Sequence, residues 1–324
     1  MYSVNKIGFY TLTNDRAKLE HNNLKRCELI LTDACNFRCP YCRGVSAYSR
    51  DCSGHLSIEN ASDIIDIWIS QGLENIRFSG GEPTLHPYLN ELVYKCRIGG
   101  VKRIAISTNG SRPKLKYLEL LDDGVNDFSI SLDACCAEDA DKLAGRIGYF
   151  DDVVNNIKWL SKCTYVTVGI VLTEESQNTV LDVVKFAHDL GVDDIRIITA
   201  AQYNGALPYL EKIPDSILNS HPILKYRVNN LLSGKNVRGI TTEDSNRCSL
   251  VLDDSVVAGN YHFPCVIYMR EGGEPIGVVS SSMREERIEW SKIHNTHNDS
   301  ICIKNCLDCL VEYNNLCTSL DKGM

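Results

Sequence analysis

The chain has 324 residues, of which 44% are hydrophobic, enough to bury the core of one large domain or of a large domain with a small one. Its formal net charge of -8 provides no basic surface for tight nucleic-acid binding, and no apolar run reaches the about eighteen residues of a membrane-spanning helix. Residues 1–6 lack the apolar core of a secretory signal, so we expect a cytoplasmic protein. Fifteen cysteines in that compartment indicate metal ligation or reactive thiols rather than a disulfide framework.

Strand-like and helix-like segments alternate along most of the chain, after a predicted N-terminal extension at 1–26. The predicted strands are 28–32, 75–78, 103–107, 127–132, 165–172 and 194–198. The predicted helices are 57–72, 88–96, a segment from 113, 150–160, 176–190 and a part of 213–232. Such alternation predicts an α/β fold with a parallel sheet, a partial (β/α)6 TIM-like barrel over 27–235, followed by a small cysteine-rich domain at 236–324.

Three cysteines follow the first predicted strand at a C-x3-C-x2-C spacing, Cys35, Cys39 and Cys42, with Tyr41 directly before the last. Three thiolates on one loop can ligate three irons of a cubane cluster and leave the fourth iron open. A zinc knuckle or buried free thiols are the alternatives. A structural zinc usually takes four ligands, and the nearest histidine in the sequence is His55.

The cysteine spacing resembles the signature of the radical S-adenosylmethionine (radical SAM) enzymes. The resemblance implies that a [4Fe–4S] cluster binds the amino and carboxylate groups of S-adenosylmethionine and cleaves it to methionine and a 5′-deoxyadenosyl radical. Gly80, Gly81 and Glu82 follow the second strand and resemble the family's GGE motif, which implies contacts to the methionine amino group. The alternative is an ordinary Gly-Gly turn with a solvated glutamate.

Further cofactor contacts are implied at the ends of strands three and four. Ser107, Thr108 and Asn109 resemble a ribose-contacting strand end, although Asn109 could instead cap the next helix. Asp133 resembles a residue that contacts ribose or substrate in the peptide-modifying branch, with a helix or turn cap as its alternative. In segment 141–150, Ala144 stands where that branch carries an arginine, so Arg146 becomes the candidate for the cofactor carboxylate.

The C-terminal cysteines resemble a SPASM or twitch extension, which carries auxiliary iron–sulfur clusters. One four-thiolate site would use Cys248, Cys265, Cys306 and Cys309, with Cys302 as a rival for one place. The six cysteines after residue 240 are too few for the eight ligands of two complete clusters, so one auxiliary [4Fe–4S] cluster is predicted. A four-thiolate zinc site is the alternative.

Two further groups lie at the predicted mouth of the barrel. Cys135 and Cys136 could return a hydrogen atom to a substrate radical, or could be small residues buried in a turn. Gln202 and Tyr203 follow the sixth strand and could touch substrate.

The sequence thus predicts a radical SAM enzyme that abstracts a hydrogen atom from a substrate C–H bond, with an electron donor such as flavodoxin or ferredoxin. The resemblance implies maturation of a ribosomal peptide by crosslinking or epimerisation. No N-terminal peptide-recognition module is visible, so a small molecule such as an aminoglycoside or nucleoside stays an alternative. The remaining alternative is a non-catalytic iron–sulfur or zinc protein.

Overall fold

The computed structural model describes residues 25–42, 54–173, 176, 178–200, 210–235 and 237–322. Within them are nine strands: β1 (Arg26–Thr32), β2 (Asn75–Gly80), β3 (Arg103–Thr108), β4 (Asp127–Ser131), β5 (Tyr165–Leu172), β6 (Asp194–Thr199), β7 (Asp254–Ala258), β8 (Tyr261–Phe263) and β9 (Gly277–Val278). The predicted extension at 1–26 lies almost wholly outside the described residues, as do Gln202 and Tyr203.

The α-helices of the described residues occupy both the barrel segment and the C-terminal segment. They are α1 (Ile58–Ser70), α2 (Leu89–Ile98), α3 (Lys114–Asp123), α4 (Ala137–Ala144), α5 (Phe150–Leu160), α6 (Val180–Asp189), α7 (Asp215–Ser220), α8 (Pro222–Leu232), α9 (Val266–Arg270), α10 (Met283–Ile293), α11 (Ser300–Asn305) and α12 (Asp308–Lys322). No described helix is long and apolar enough to cross a bilayer.

The predicted fold class is confirmed: the chain is an α/β protein whose six parallel strands are those of a partial TIM-like barrel. The predicted strands all exist, with ends shifted by at most two residues. Their centres are apolar and fully buried, as at Leu29, Phe78, Ile106 and Phe128, because helices cover strands of a parallel sheet on the face away from the barrel interior.

The helices show where the sequence prediction was wrong. Helix α4 was not predicted, and the helix expected from 176 begins only at Val180, because Ser176 bonds Thr173 in the preceding turn. The helix expected within 213–232 is two helices that meet at His221, since the following Pro222 disfavours helical backbone at His221.

The chain forms two compact units. Of the described residues, one unit contains those within 35–42 and 105–237, and in it β4 lies parallel between β3 and β5, with β6 parallel to β5. The other unit contains the described residues within 25–34, 54–104 and 238–322.

In the second unit, β1 lies between two parallel neighbours. Arg26 is opposite Asn75 of β2 on one side and opposite Asp254 of β7 on the other. Strands β7, β8 and β9 continue as antiparallel neighbours. The C-terminal strands thus extend the sheet from the edge of β1, which was not predicted from the sequence.

Candidate functional site

The three-cysteine loop follows β1 directly and is folded by short internal hydrogen bonds. The Cys42 amide donates to the Cys39 carbonyl at 3.0 Å, and the Phe37 amide donates to Cys35 Sγ at 3.4 Å. Burial raises the pKa of the Cys39 thiol to about 11, so the thiol form is favoured when no metal is bound. Bound iron would reverse that preference, because it stabilises the thiolate by its own charge.

Tyr41 fixes this loop to the ends of β4 and β5. Its hydroxyl donates to Oδ2 of Asp133, and Oδ1 of Asp133 accepts the Val171 amide at 2.6 Å. Burial raises the pKa of Asp133 while both hydrogen bonds oppose the rise. Each carboxylate oxygen of Asp133 thus accepts a hydrogen bond from the protein, and Asp133 caps no helix among the described residues.

A second tie joins the loop to the end of β3. The Asn109 amide donates to Asn36 Oδ1 at 2.7 Å, and Asn36 Nδ2 donates to Ser111 Oγ at 2.9 Å. Asn109 Oδ1 in turn accepts from the Ser111 amide and hydroxyl. Asn109 therefore caps the turn at Ser111 rather than helix α3, whose N-cap is Pro113.

Gly80 and Gly81 pack closely against the protein's own backbone. A Cβ at Gly80 would overlap the Thr32 carbonyl, and one at Gly81 would overlap the Ala34 carbonyl, immediately before the first cysteine. The Gly81 amide donates to Thr32 at 2.7 Å and the Glu82 amide to Ala34 at 2.8 Å. The glycines thus set the course of the chain that enters the cysteine loop.

Glu82 is fully buried, so the predicted alternative of a solvated glutamate is wrong. Its Oε1 accepts from the Thr84 amide at 3.1 Å and the Thr84 hydroxyl at 2.6 Å, which caps the turn Pro83–Leu85. The carboxylate is thereby held in one orientation at the end of β2.

The segment after α4 packs on the cysteine loop. The Arg38 amide donates to the Ala144 carbonyl at 2.7 Å, and Gly145 ends the helix at φ +59°, with Arg38 backbone against its α-carbon. The Arg146 guanidinium lies 5.8 Å from the centre of the Phe37 ring. Arg146, for which a cofactor contact was predicted, therefore has a side chain that stacks on Phe37 of the cysteine loop.

The two thiols beyond Asp133 differ in exposure. Cys136 is exposed and its Sγ lies 3.4 Å from Asp139 Oδ2, whereas Cys135 is half-buried. Burial raises the pKa of Cys135. The alternative of two small buried residues does not hold for Cys136.

Four of the C-terminal cysteines line one largely apolar cavity: Cys248, Cys265, Cys302 and Cys306. Burial raises the pKa of each of these thiols, to about 12 at Cys265. Cys309 is not among the lining residues of this cavity that the structure describes. Four sulfur donors around one apolar cavity fit an iron–sulfur cluster or a zinc ion, both of which bind thiolates.

Arg287 holds the two turns that carry the first pair of these cysteines. It is fully buried, and it donates to Val251 O at 2.8 Å, to Phe263 O at 3.0 Å and to Asp254 O. Cys248 begins the turn that contains Val251, and Cys265 follows Phe263 by two residues. Burial lowers the pKa of Arg287 to about 10, so the guanidinium stays charged at neutral pH.

Sequence reasoning missed several of these residues. Asn36 and Ser111 are ordinary loop residues in the sequence, and Arg287 lies in a stretch that is mostly polar in sequence, on α10. The available signal for Asn36 was its place inside the cysteine motif. Arg287 gave no signal, because its partners are backbone carbonyls distant in the sequence.

A partial (β/α)6 barrel whose first strand runs into a three-cysteine loop is the architecture of an iron–sulfur enzyme. The family model of the radical SAM superfamily matches residues 29–194, about half of the chain, and the chain belongs to that superfamily. It is a radical SAM enzyme, of a family that uses a [4Fe–4S] cluster and S-adenosylmethionine.

Among curated relatives, the GTP 3′,8-cyclase of Synechocystis sp. is 28% identical over 166 residues, which cover 51% of this chain and 50% of the relative. The antilisterial bacteriocin subtilosin biosynthesis protein AlbA of Bacillus subtilis is 30% identical over 216 residues, 60% of this chain and 47% of the relative. The chain spans about half the length of the curated relatives it matches.

The solved structures that it resembles share its fold at low identity. SuiB of Streptococcus suis is 14% identical with a TM-score of 0.60, over 83% of this chain and 66% of SuiB. The enzyme anSMEcpe with bound AdoMet is 15% identical with a TM-score of 0.59, over 92% of this chain and 95% of the other. These neighbours are SPASM-type radical SAM enzymes, and the cysteine-rich C-terminal region fits that type.

Proposed function

We propose that this enzyme reductively cleaves S-adenosylmethionine and abstracts a hydrogen atom from a C–H bond of a ribosomally made peptide. One observation supports the first half most strongly: the loop of Cys35, Cys39 and Cys42 is tied by its own Asn36 and Tyr41 to the ends of β3 and β4. Those are the positions where a barrel enzyme of this kind carries its chemistry. An electron carrier that only holds a cluster needs no such ties.

The residues divide into holding and positioning roles in this proposal. Cys35, Cys39 and Cys42 would hold a [4Fe–4S] cluster, which supplies the electron for cleavage of the cofactor. The set that would contact S-adenosylmethionine comprises Tyr41, Gly80, Gly81, Glu82, Ser107, Thr108, Asn109, Asp133 and Arg146. Of these, Glu82 would accept from the methionine ammonium, while Tyr41 and Asp133 would act mainly by fixing the loop. The barrel would occupy residues 27–235.

The peptide substrate is supported by two relatives. AlbA is named as a protein of bacteriocin biosynthesis, and it is 30% identical to this chain over 216 residues. SuiB with a bound precursor peptide has a TM-score of 0.58 to this chain, which supports a fold able to accommodate such a substrate. The predicted reaction is a crosslink or an epimerisation.

A nucleotide or other small molecule is the second candidate. Several of the curated relatives are GTP 3′,8-cyclases, each matched over about half of this chain. The substrate panel must therefore include nucleotides. In either case a low-potential donor such as flavodoxin or ferredoxin would supply the electron, in the reducing cytoplasm.

An auxiliary [4Fe–4S] cluster at residues 236–324 completes the proposal. The cavity supports Cys248, Cys265, Cys302 and Cys306 as its ligands. In reconstituted protein, Cys302→Ser should lower the iron content from about eight to about four per chain, and Cys309→Ser should leave it unchanged. The reverse result would favour Cys309 as the fourth ligand.

The decisive experiment is anaerobic turnover in heavy water with a panel of precursor peptides, aminoglycosides, nucleosides and GTP. The products to quantify are 5′-deoxyadenosine and deuterium in the recovered substrate. A single deuterium without another mass change supports epimerisation, with Cys135 or Cys136 as hydrogen donor. The loss of two hydrogens without deuterium supports a crosslink, with the auxiliary cluster as electron acceptor.

Matched variants separate these outcomes. Cys136→Ser should abolish deuterium incorporation if that thiol is the donor, while Cys163→Ser, at another exposed cysteine, should not. Fully reconstituted protein that forms no 5′-deoxyadenosine, with or without substrate, would overturn the proposed activity.

A further inference from the structure

His294 lies beside Cys302, one of the cysteines that line the cavity, with its imidazole directed at the sulfur. Its Nε2 is 3.7 Å from Cys302 Sγ, within hydrogen-bonding range for sulfur. The side chain is only 13% exposed. His294 directly follows α10, and Cys302 lies on α11, so the contact joins two elements of the C-terminal segment.

The orientation of this imidazole is fixed by two aromatic neighbours. Its ring stacks on Trp290 with centres 3.9 Å apart and planes at 16°, and the Tyr268 ring meets it edge-on at 6.0 Å. Trp290 and Tyr268 themselves line the cysteine cavity. Packing rather than the contact with sulfur therefore positions Nε2.

A mononuclear metal ion at His294, Asp299 and Cys302 is the competing interpretation, because their ligand atoms lie within 4.8 Å of one another. Asp299 is already engaged on both oxygens. Oδ1 accepts the amides of Ile301 and Cys302 at 2.8 and 2.9 Å, and Oδ2 accepts the Tyr268 hydroxyl at 2.9 Å. Cys302 also lines the same cavity as Cys248, Cys265 and Cys306, which favours its use with them.

We propose that His294 is a positioning residue of the auxiliary cluster, which donates a hydrogen bond from Nε2 to the Cys302 thiolate. This inference rests on the proposed auxiliary cluster. A thiolate bound to iron carries no proton and can only accept, so the histidine must supply the hydrogen. Such a bond stabilises the more negative, reduced cluster and raises its reduction potential.

The test uses the full chain with Cys35, Cys39 and Cys42 replaced by alanine, so that only the auxiliary cluster can form. In this background we compare His294→Phe, which keeps a stacking ring without a donor, with His294→Gln, which keeps an amide donor. Asn298→Ala, an exposed neighbour on the same side of the helix end, is the control. Iron and sulfide are counted, and the midpoint potential is measured by a redox titration followed by electron paramagnetic resonance.

We expect His294→Phe to retain a four-iron cluster with a midpoint potential shifted to more negative values. His294→Gln should lie closer to the unsubstituted background, and Asn298→Ala should match it. An unchanged potential in His294→Phe would overturn the inference. Nitrogen hyperfine coupling, together with cluster loss in both His294 variants, would also overturn the inference, because it would make His294 a ligand. A single metal ion per chain that is lost in Asp299→Asn would overturn it as well.

The same background chain also tests the auxiliary cluster on which this inference rests. If the background chain forms no iron–sulfur cluster, the auxiliary cluster and this inference are both overturned. The complementary chain, with Cys248 and Cys265 replaced by alanine, reports on the cluster at the three-cysteine loop and hence on S-adenosylmethionine cleavage.

Discussion

The Tyr41 hydroxyl donates a hydrogen bond to the Asp133 carboxylate, which connects the cysteine loop to a residue 92 positions later in the chain. The partner oxygen of Asp133 is taken by the Val171 amide. Asp133 therefore links three segments, the loop, β4 and β5. Asp133, which was predicted to contact ribose or substrate, also fixes the aromatic residue beside Cys42.

Removal of this bond should loosen the loop. Tyr41→Phe leaves a buried carboxylate with one donor fewer, and we expect it to lower the free energy of unfolding by about 1–3 kcal/mol. The loop cluster should be lost faster to a chelator, as followed by absorbance near 400 nm, a wavelength at about the usual maximum of such clusters. Tyr88→Phe, at an exposed tyrosine, is the control. Equal chelation rates for the two variants would contradict the role given to Tyr41.

Gly81→Ala should disturb the same loop from its other end. The added methyl would overlap the Ala34 carbonyl, and backbone atoms on both sides must move to accept it. We expect a strong loss of iron from the three-cysteine loop. Gly169→Ala is the matched control, because the nearest atoms to its new Cβ lie 3.9 Å away. Iron content should be measured for both, and a fully loaded Gly81→Ala protein would show that the backbone adapts.

Arg287→Lys should uncouple the two turns that carry Cys248 and Cys265. Lysine keeps the charge but cannot reach carbonyls in several directions at once, so buried acceptors lose their donors. We expect the free energy of unfolding to fall by at least about 2 kcal/mol, with loss of the auxiliary cluster. Arg270→Lys, on the exposed end of α9, should have no effect. Thermal melts and iron counts on both proteins test this.

His262 should make the C-terminal region sensitive to acid. Burial, together with the Arg287 guanidinium beside Nδ1, lowers the pKa of His262 to about 4. An unfolded chain, with a histidine pKa of about 6.5, binds more protons between pH 6.5 and 4, so the folded state loses stability as the pH falls through that window.

The variant His262→Gln lacks this titration. The stability advantage of the wild type over it should therefore shrink by up to about 3 kcal/mol between pH 7 and pH 4. Unfolding by urea at several pH values measures the difference, and His55→Gln at an exposed position serves as control. A difference that is constant with pH would contradict the prediction.

The strands were predictable because each is a short buried apolar run bounded by glycine, proline or polar residues. Helix α4 was not, since Ala137–Ala144 is half charged and has only Ala140 and Ala144 as buried residues. The parallel pairing of β7 with β1 joins residues more than two hundred positions apart, and nothing in either segment specifies that partner.

In the candidate site, too, some residues could be predicted from the sequence and others could not. Cysteine spacing marks Cys35, Cys39 and Cys42 because the loop is continuous in sequence. The choice among Cys302, Cys306 and Cys309 depends on how α11 and α12 turn toward the cavity, which spacing does not encode. Asp299, for example, caps α11 through the amides of Ile301 and Cys302 and so sets the direction of that helix.

The pairing of β7 with β1 has a consequence for truncated forms of this enzyme. A fragment that stops near residue 235 would contain every residue matched by the superfamily model, yet β1 would lose its neighbour on one side and present an open edge of unpaired backbone N–H and C=O groups. That edge belongs to the strand that leads into the cysteine loop. Removing or replacing the C-terminal region would therefore disturb the strand that leads into the three-cysteine loop, although the two are remote in sequence.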